Sequence, residues 1–209
     1  MKALKVLVKS LLILVSIGLI WRWLSRNRSL PCPTWLASLL DSRWSDRLLG
    51  TQITLDRIGL RPGQCVLEIG PDPGRLLIPA ATRVLPGGEV FGLDIQSGMI
   101  ERLKARSVQA GVSNLTTIVG DATQPNFPPE NFDVIFFCTV LGEIPGRAAA
   151  LRQCYAALKP GGLLSITEMF PDPHYHSCAP LRQMAEAEGF RLQITHGPWY
   201  FFTANFIKA

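Results

Sequence analysis

No acidic residue occurs in the first forty positions of this 209-residue chain; the first is Asp41. Lys2, Lys5, Lys9, Arg22, Arg26 and Arg28 all fall in that stretch, so the formal net charge of +5 belongs to the leader. Setting those six aside leaves 15 basic against 16 acidic residues. A body so close to neutrality carries no electrostatic footprint for nucleic acid. Histidine is scarce, with three in all, and the five cysteines (Cys32, Cys65, Cys138, Cys154 and Cys178) are odd in number and scattered. Apart from the loose His174-x-His176-x-Cys178, no Cys or His pair has metal-ligand spacing, so neither a metal nor a disulfide framework is expected. Cys65 and Cys138 sit in apolar runs, where a thiol is a small buried hydrophobe. That usage fits a reducing compartment. Internal repeats are also lacking, which excludes a solenoid or propeller.

Charge is missing from a second place. Ser10 to Trp21 is uncharged and almost wholly apolar, bracketed by Lys9 and Arg22. Those twelve residues fall short of the about 20 needed to cross a ~30 Å hydrocarbon core. Lys9 can snorkel, however, and Trp21 and Trp23 suit the interface, so Val6 to Leu24 is just long enough. A cleaved signal peptide is the competing reading, but no A-x-A site follows and the arginines disfavour cleavage. Residues 1–30 are therefore expected to be a single-pass membrane anchor. Basic residues flank both ends, so charge alone leaves its orientation open. Residues 31–62 follow as a helical lead-in. Trp35-Leu36-x-x-Leu39-Leu40 reads as one short amphipathic helix, and Ile53, Leu55, Ile58 and Leu60 as another. Trp35, Leu39 and Trp44 are placed to cover a cleft, rest on lipid or pack on a sheet edge.

From Cys65 onward apolar strand runs alternate with helical periodicity, which predicts an α/β domain over 63–209 with a mostly parallel, doubly wound sheet. Its first strand, Cys65 to Ile69, is interrupted by Glu68 and followed by Gly70-Pro71-Asp72-Pro73-Gly74 and a helix from Arg75. A glycine at such a turn lets backbone amides approach a ligand. A second strand, Glu89 to Ile95, carries Asp94 twenty residues after Gly74, a position suited to the two hydroxyls of a ribose. A third, Thr116 to Ala122, ends on Asp121. The three acids converge on one crevice. Later strands are expected at Val134–Phe137 and Leu163–Thr167, with helices from Ser97 (as N-cap), over Arg147–Leu158 and over Leu181–Glu188. An antiparallel pair, Arg191–Thr195 and Trp199–Ile207, closes the chain.

With these residues in view the chain resembles class I S-adenosylmethionine-dependent methyltransferases, in particular the ubiquinone and menaquinone C-methyltransferase group. The resemblance rests on Glu68-x-Gly70-x-Asp72-x-Gly74, Asp94, Gly120-Asp121-Ala122, Phe132-Asp133-Val134-Ile135 and Leu158-Lys159-Pro160-Gly161-Gly162, and it covers roughly 55–207. It implies a Rossmann-like methyltransferase fold of seven strands, with S-adenosylmethionine as cofactor. The loop of Gly70, Pro71, Asp72 and Gly74 would lie under the methionine end, with Glu68 also binding the cofactor. Asp94 would bind the ribose and Asp121-Ala122 read the adenine, with Ile95 and Cys138 also among the cofactor-binding residues. Such a cofactor is cytosolic, which puts the catalytic domain on the cytosolic side of the anchor. Asp72 departs from the family, which usually has a glycine there.

Methyl transfer needs aligned reactants, and a base only where the acceptor must lose a proton. Candidates beyond the strand ends are Glu143, His174 as a base near neutral pH, and Tyr175 to orient an acceptor. Each also reads plainly as a helix cap or an exposed loop residue. Aromatics from Phe136 to Phe202 supply strand faces and, in part, an apolar acceptor pocket. With the anchor they favour a small, lipophilic acceptor. Two other readings stay open. Asp72, repelling the cofactor's own carboxylate, would suit a catalytically silent, membrane-tethered binding module. A nicotinamide-dependent oxidoreductase would explain Asp94 but not the missing G-x-G-x-x-G spacing.

The anchor is directly testable. The full chain should fractionate with membranes, and removing residues 1–30 should release a soluble, folded domain that still binds cofactor. Recovery of the full chain in the soluble fraction at low detergent would exclude the anchor.

Overall fold

The computed structural model describes Ser16 and residues 50–170 and 172–209. Apart from Ser16, the expected anchor lies outside the described residues, as does the Trp35–Leu40 helix; among the described residues no helix is long and apolar enough to cross a membrane. Helix α1 (Thr51–Ile58) is the second part of the expected lead-in. Strands and helices then alternate: β1 (Cys65–Ile69), α2 (Leu77–Arg83), β2 (Glu89–Asp94), α3 (Ser97–Gln109) and β3 (Leu115–Val119). They continue with β4 (Phe132–Cys138), a 3-10 turn (Leu141–Glu143), α4 (Arg147–Ala157), β5 (Leu158–Met169), α5 (Cys178–Ala187), β6 (Phe190–His196) and β7 (Phe201–Lys208).

The seven strands form one sheet in the order β3-β2-β1-β4-β5-β7-β6. β1 to β5 run parallel, while β7 is antiparallel to both β5 and β6. Successive side chains on a strand face opposite ways, and here both faces are covered. Val66, Val90, Val134 and Phe136 pack against Leu55 and Ile58 of α1, Leu77 and Ala80 of α2, and Ile100 and Leu103 of α3. Leu67, Ile135, Phe137, Leu164 and Ile166 meet Leu151 of α4 and Leu181 and Ala185 of α5 on the other face. The doubly wound sheet and the terminal hairpin are thus as expected.

Three local expectations need correction. Ser97 is the first helical residue rather than a cap; extended Gln96 precedes the helix, and the Asp94 Oδ1 atom accepts its N–H at 2.8 Å. β5 begins at Leu158, five residues early, because Phe132 pairs with Leu158 but Val134 with Leu163. The intervening Lys159–Gly162 bulges out, with Gly161 at φ 71°, and such a bulge breaks the alternation that marks a strand. Asp133 stitches this end together, taking the Cys65 N–H and the Lys159 ammonium, each at 2.8 Å. Lastly, Trp199 and Tyr200 sit in the β6–β7 turn, not in the strand.

A buried polar ladder joins α1 to the sheet. The Ser165 hydroxyl donates to Asn205 Oδ1 at 2.7 Å, and Asn205 Nδ2 donates to the Arg57 carbonyl at 2.8 Å. Asn205→Ala should strand both partners, costing about 1–3 kcal/mol for a buried polar group left unpaired. A urea midpoint lowered at unchanged slope would report that loss. An unchanged midpoint would show that the ladder does not hold α1.

Candidate cofactor site

A cavity of about 700 Å³ opens at the carboxyl ends of the central strands. It lies where the strand order reverses between β1 and β4, the position at which open α/β sheets bind ligands. Gly70 forms its floor at φ 68°. A Cβ there would lie 2.6 Å from Val140 Cγ1, so only glycine lets the β1 and β4 tips close up. The Gly70 N–H donates to the Leu93 carbonyl at 2.8 Å, which ties the turn to β2.

Five carboxylates and one guanidinium line the cavity among the described residues: Asp72, Asp94, Asp121, Glu143, Asp172 and Arg75. Asp94 ends β2 and is half-buried. Burial raises its pKa, while N–H donors from Gln96 and Ile95 work the other way. Asp121 follows β3, its Oδ1 atom accepting the Thr123 N–H and hydroxyl at 2.8 Å each. That local turn sets the carboxylate at the rim. Ile95, 63% exposed, and Ala122 stand beside the two acids on the wall. Thr139, at φ 58° on the β4 tip, is a non-glycine residue held in left-handed backbone, the kind of strain that collects at functional sites.

Beneath the floor lies a buried carboxyl group. Glu68 is 2% exposed, and its Oε2 atom has no hydrogen-bond partner. Burial pushes its carboxyl well above the ordinary range, Arg75 opposes this, and Asp72 and Asp94 add to it. Arg75 donates to the Cys138 sulfur and to the Thr51 hydroxyl, each at 3.3 Å. Burial works against its charge, yet Cys138, Glu68 and Asp72 together raise its pKa. Cys138 itself is pushed up to about 11, chiefly by burial, so it stays a thiol.

Most of the expected site residues meet here, with corrections. Gly70, Asp72, Asp94, Ile95, Asp121, Ala122 and Glu143 line the cavity. Asp72, where the family usually has glycine, takes left-handed backbone at φ 49° and borders the cavity. Glu68, Pro71, Gly74 and Cys138 are buried under or behind the wall and support it from there. His174 and Tyr175 are not on the wall. His174 is 6% exposed and packs so closely on Gly142 that a Cβ there would lie 2.3 Å from its carbonyl oxygen. The Tyr175 hydroxyl donates to the Trp199 carbonyl, and its ring meets Phe170 and Phe202. No aromatic lines the cavity among the described residues; Val140, Ile144, Pro145 and Met169 supply its apolar surface instead. Arg75, Thr139, Met169 and Asp172 also line the wall with no sequence motif to mark them, though Arg75 directly follows Gly74. No group of three or more His, Cys, Asp or Glu side chains among the described residues is placed to hold a metal ion.

Residues 66–162 match the family described as methyltransferase domain. Nocamycin O-methyltransferase of Saccharothrix syringae is 34% identical over 130 residues, covering 61% of this chain and 46% of the relative. A ubiquinone/menaquinone biosynthesis C-methyltransferase of Vibrio vulnificus is 32% identical over 145 residues, covering 69% and 54%. The chain thus spans about half the length of the curated relatives it matches. A crystal structure of an S-adenosylmethionine-dependent methyltransferase from Aquifex aeolicus has the same fold, with a TM-score of 0.79 at 20% identity over 86% of this chain and all of that one. The sequence matches and the strand-tip cavity agree: this chain carries a domain of the class I S-adenosylmethionine-dependent methyltransferases, related to the ubiquinone/menaquinone C-methyltransferases.

Proposed function

We propose that the protein transfers a methyl group from S-adenosylmethionine to a small, uncharged, lipophilic acceptor while held at a membrane by its leader. The observation that carries the transfer reading is the convergence of Asp94, Asp121 and Glu143 on one acid-lined cavity floored by Gly70. When bound, S-adenosylmethionine supplies an electrophilic methyl group on a sulfonium. Five carboxylates facing one guanidinium suit a ligand with net positive charge. In this reading Asp94 accepts the ribose hydroxyls, and Ile95 and Ala122 flank the adenine. Asp72 faces the ammonium of the amino-acid end and Arg75 its carboxylate. On the β4–β5 side, Val140, Ile144 and Met169 hold the acceptor, and Glu143 takes its proton where one must leave. Glu143 and Asp172 on that side disfavour an acceptor that already carries negative charge. The competing silent-module reading drew on Asp72, and Arg75 on the same wall answers it with the opposite charge.

Calorimetry tests the proposal. S-adenosylmethionine should bind more tightly than the uncharged-sulfur product S-adenosylhomocysteine, with the difference shrinking as salt screens the wall. Asp94→Ala should weaken both by about 1.5–3 kcal/mol, as for hydrogen bonds to a charged group. No binding by the parent protein would remove the cofactor from this reading.

Asp72 separates the enzyme from the silent module. Asp72→Asn removes the charge and keeps the left-handed turn that asparagine also tolerates. It should weaken cofactor binding about tenfold, the loss of one charge-assisted hydrogen bond. Tighter binding by Asp72→Asn, with none by the parent, would favour the silent module.

A further inference from the structure

Among the described residues, an exposed aromatic surface lies just outside the cavity. Trp199 is 68% exposed, Tyr200 50% and Phe170 45%. These rings form a connected cluster: Phe170 to Trp199 at 5.8 Å, Trp199 to Tyr200 at 5.6 Å, and Phe170 to Tyr175 at 6.1 Å between centroids. The backbone holds it rigidly. The Phe170 N–H donates to the Tyr200 carbonyl at 2.7 Å, and the Phe201 N–H to the Pro198 carbonyl at 3.0 Å. Met169 and Asp172, on either side of Phe170 in the chain, both line the cavity, so the cluster borders the mouth at its β5 end.

Keeping Trp199 and Tyr200 half or more exposed to water is costly, and the ring types narrow what covers them. Tryptophan and tyrosine pair an apolar body with a polar tip, which suits the boundary between lipid headgroups and acyl chains. Chain geometry points the same way. The described fold begins at Gly50, where a Cβ would lie 3.0 Å from the Phe201 ring. Arg57 of α1 sits 4.6 Å over that same ring. The 49 residues upstream therefore join the fold at the start of β7, one residue along from Tyr200, and they include the apolar Ser10–Trp21 run.

We propose that the Phe170–Trp199–Tyr200 cluster docks on the lipid bilayer, so that the cavity opens onto the membrane interface and an apolar acceptor enters without crossing water. The inference rests on the membrane-held reading above but concerns a different part of the chain from the leader. It adds a second, rotational constraint. An anchor fixes only distance from the bilayer, whereas a docked hairpin tip also fixes which side of the domain faces it.

The test uses the full chain reconstituted in phosphatidylcholine vesicles whose acyl chains carry bromine near the headgroup end, because bromine quenches nearby tryptophan. The chain has five tryptophans, and the difference between parent and Trp199→Phe isolates Trp199. Docking predicts that the Trp199 component is blue-shifted and quenched in these vesicles. A Trp199 component that stays water-like and unquenched while the other tryptophans are quenched would overturn the proposal. So would a blue-shifted but unquenched component, which would mean cover by the leader or by a second copy of the chain, and so would failure of the full chain to associate with vesicles. S-adenosylhomocysteine binding on the same samples controls for folding of Trp199→Phe. It also judges the methyltransferase reading separately, since cofactor binding stands or falls whichever way Trp199 reports.

Discussion

A carboxyl group on the central strand constrains everything around the site. β1 is covered on both faces, yet Glu68 sits in its middle, 2% exposed. Burying a charge without compensation costs several kcal/mol, and two responses to that cost are visible. Burial drives the carboxyl's pKa well above normal. Arg75 also lies close enough to act on it. Arg75 is held in turn by Cys138 on β4 and Thr51 on α1, so the charge balance fixes the Gly70–Arg75 loop relative to three elements. The contribution of Arg75 here is geometric. The linkage sign follows from the raised pKa. Glu68 contributes stability at acidic pH, and that contribution is lost as pH climbs through its folded-state pKa.

The same arrangement explains which parts of the structure could be read from the sequence. Alternating apolar runs identified all five parallel strands, because a sheet covered on both faces leaves little choice of residue. Strand ends were harder. β5 starts at Leu158, but Lys159-Pro160-Gly161-Gly162 reads as a plain turn, since a bulge is invisible to a period of two. Trp199 was assigned to β7 for its strand propensity, whereas the turn from Gly197 at φ 92° carries it outward. Propensity says nothing about where a turn ends.

Within the site, Asp94 and Asp121 were legible because each ends an apolar run, and a strand tip in this fold points to the crevice. Arg75, Thr139 and Asp172 lie in irregular backbone, where no periodicity assigns a direction. His174 failed for the same reason. A histidine in a proline-stiffened loop faces the cavity or the protein equally well on paper, and its close approach to Gly142 settles the matter. The aromatics failed differently. Phe136, Phe137 and Phe202 lie on strand faces already covered by helices, which leaves the cavity to smaller residues.

Asp72 shows what charge counting along a sequence leaves out. Taken alone, its carboxylate near a ligand carboxylate is repulsive, by roughly 3 kcal/mol at ~6 Å in an effective dielectric of 20. Arg75, three residues later, lies on the same wall and contributes an attraction of the same order. At a distance the two nearly cancel, so short-range pairing decides. An amino-acid end carries both signs, and a wall with both signs can match it where either charge alone would reject half of it. The loop's left-handed turn at Asp72 and the burial behind Arg75 keep the two side chains on this wall. In the proposed cofactor reading, Asp72 and Arg75 give the wall both signs, and Asp72 is one of the two.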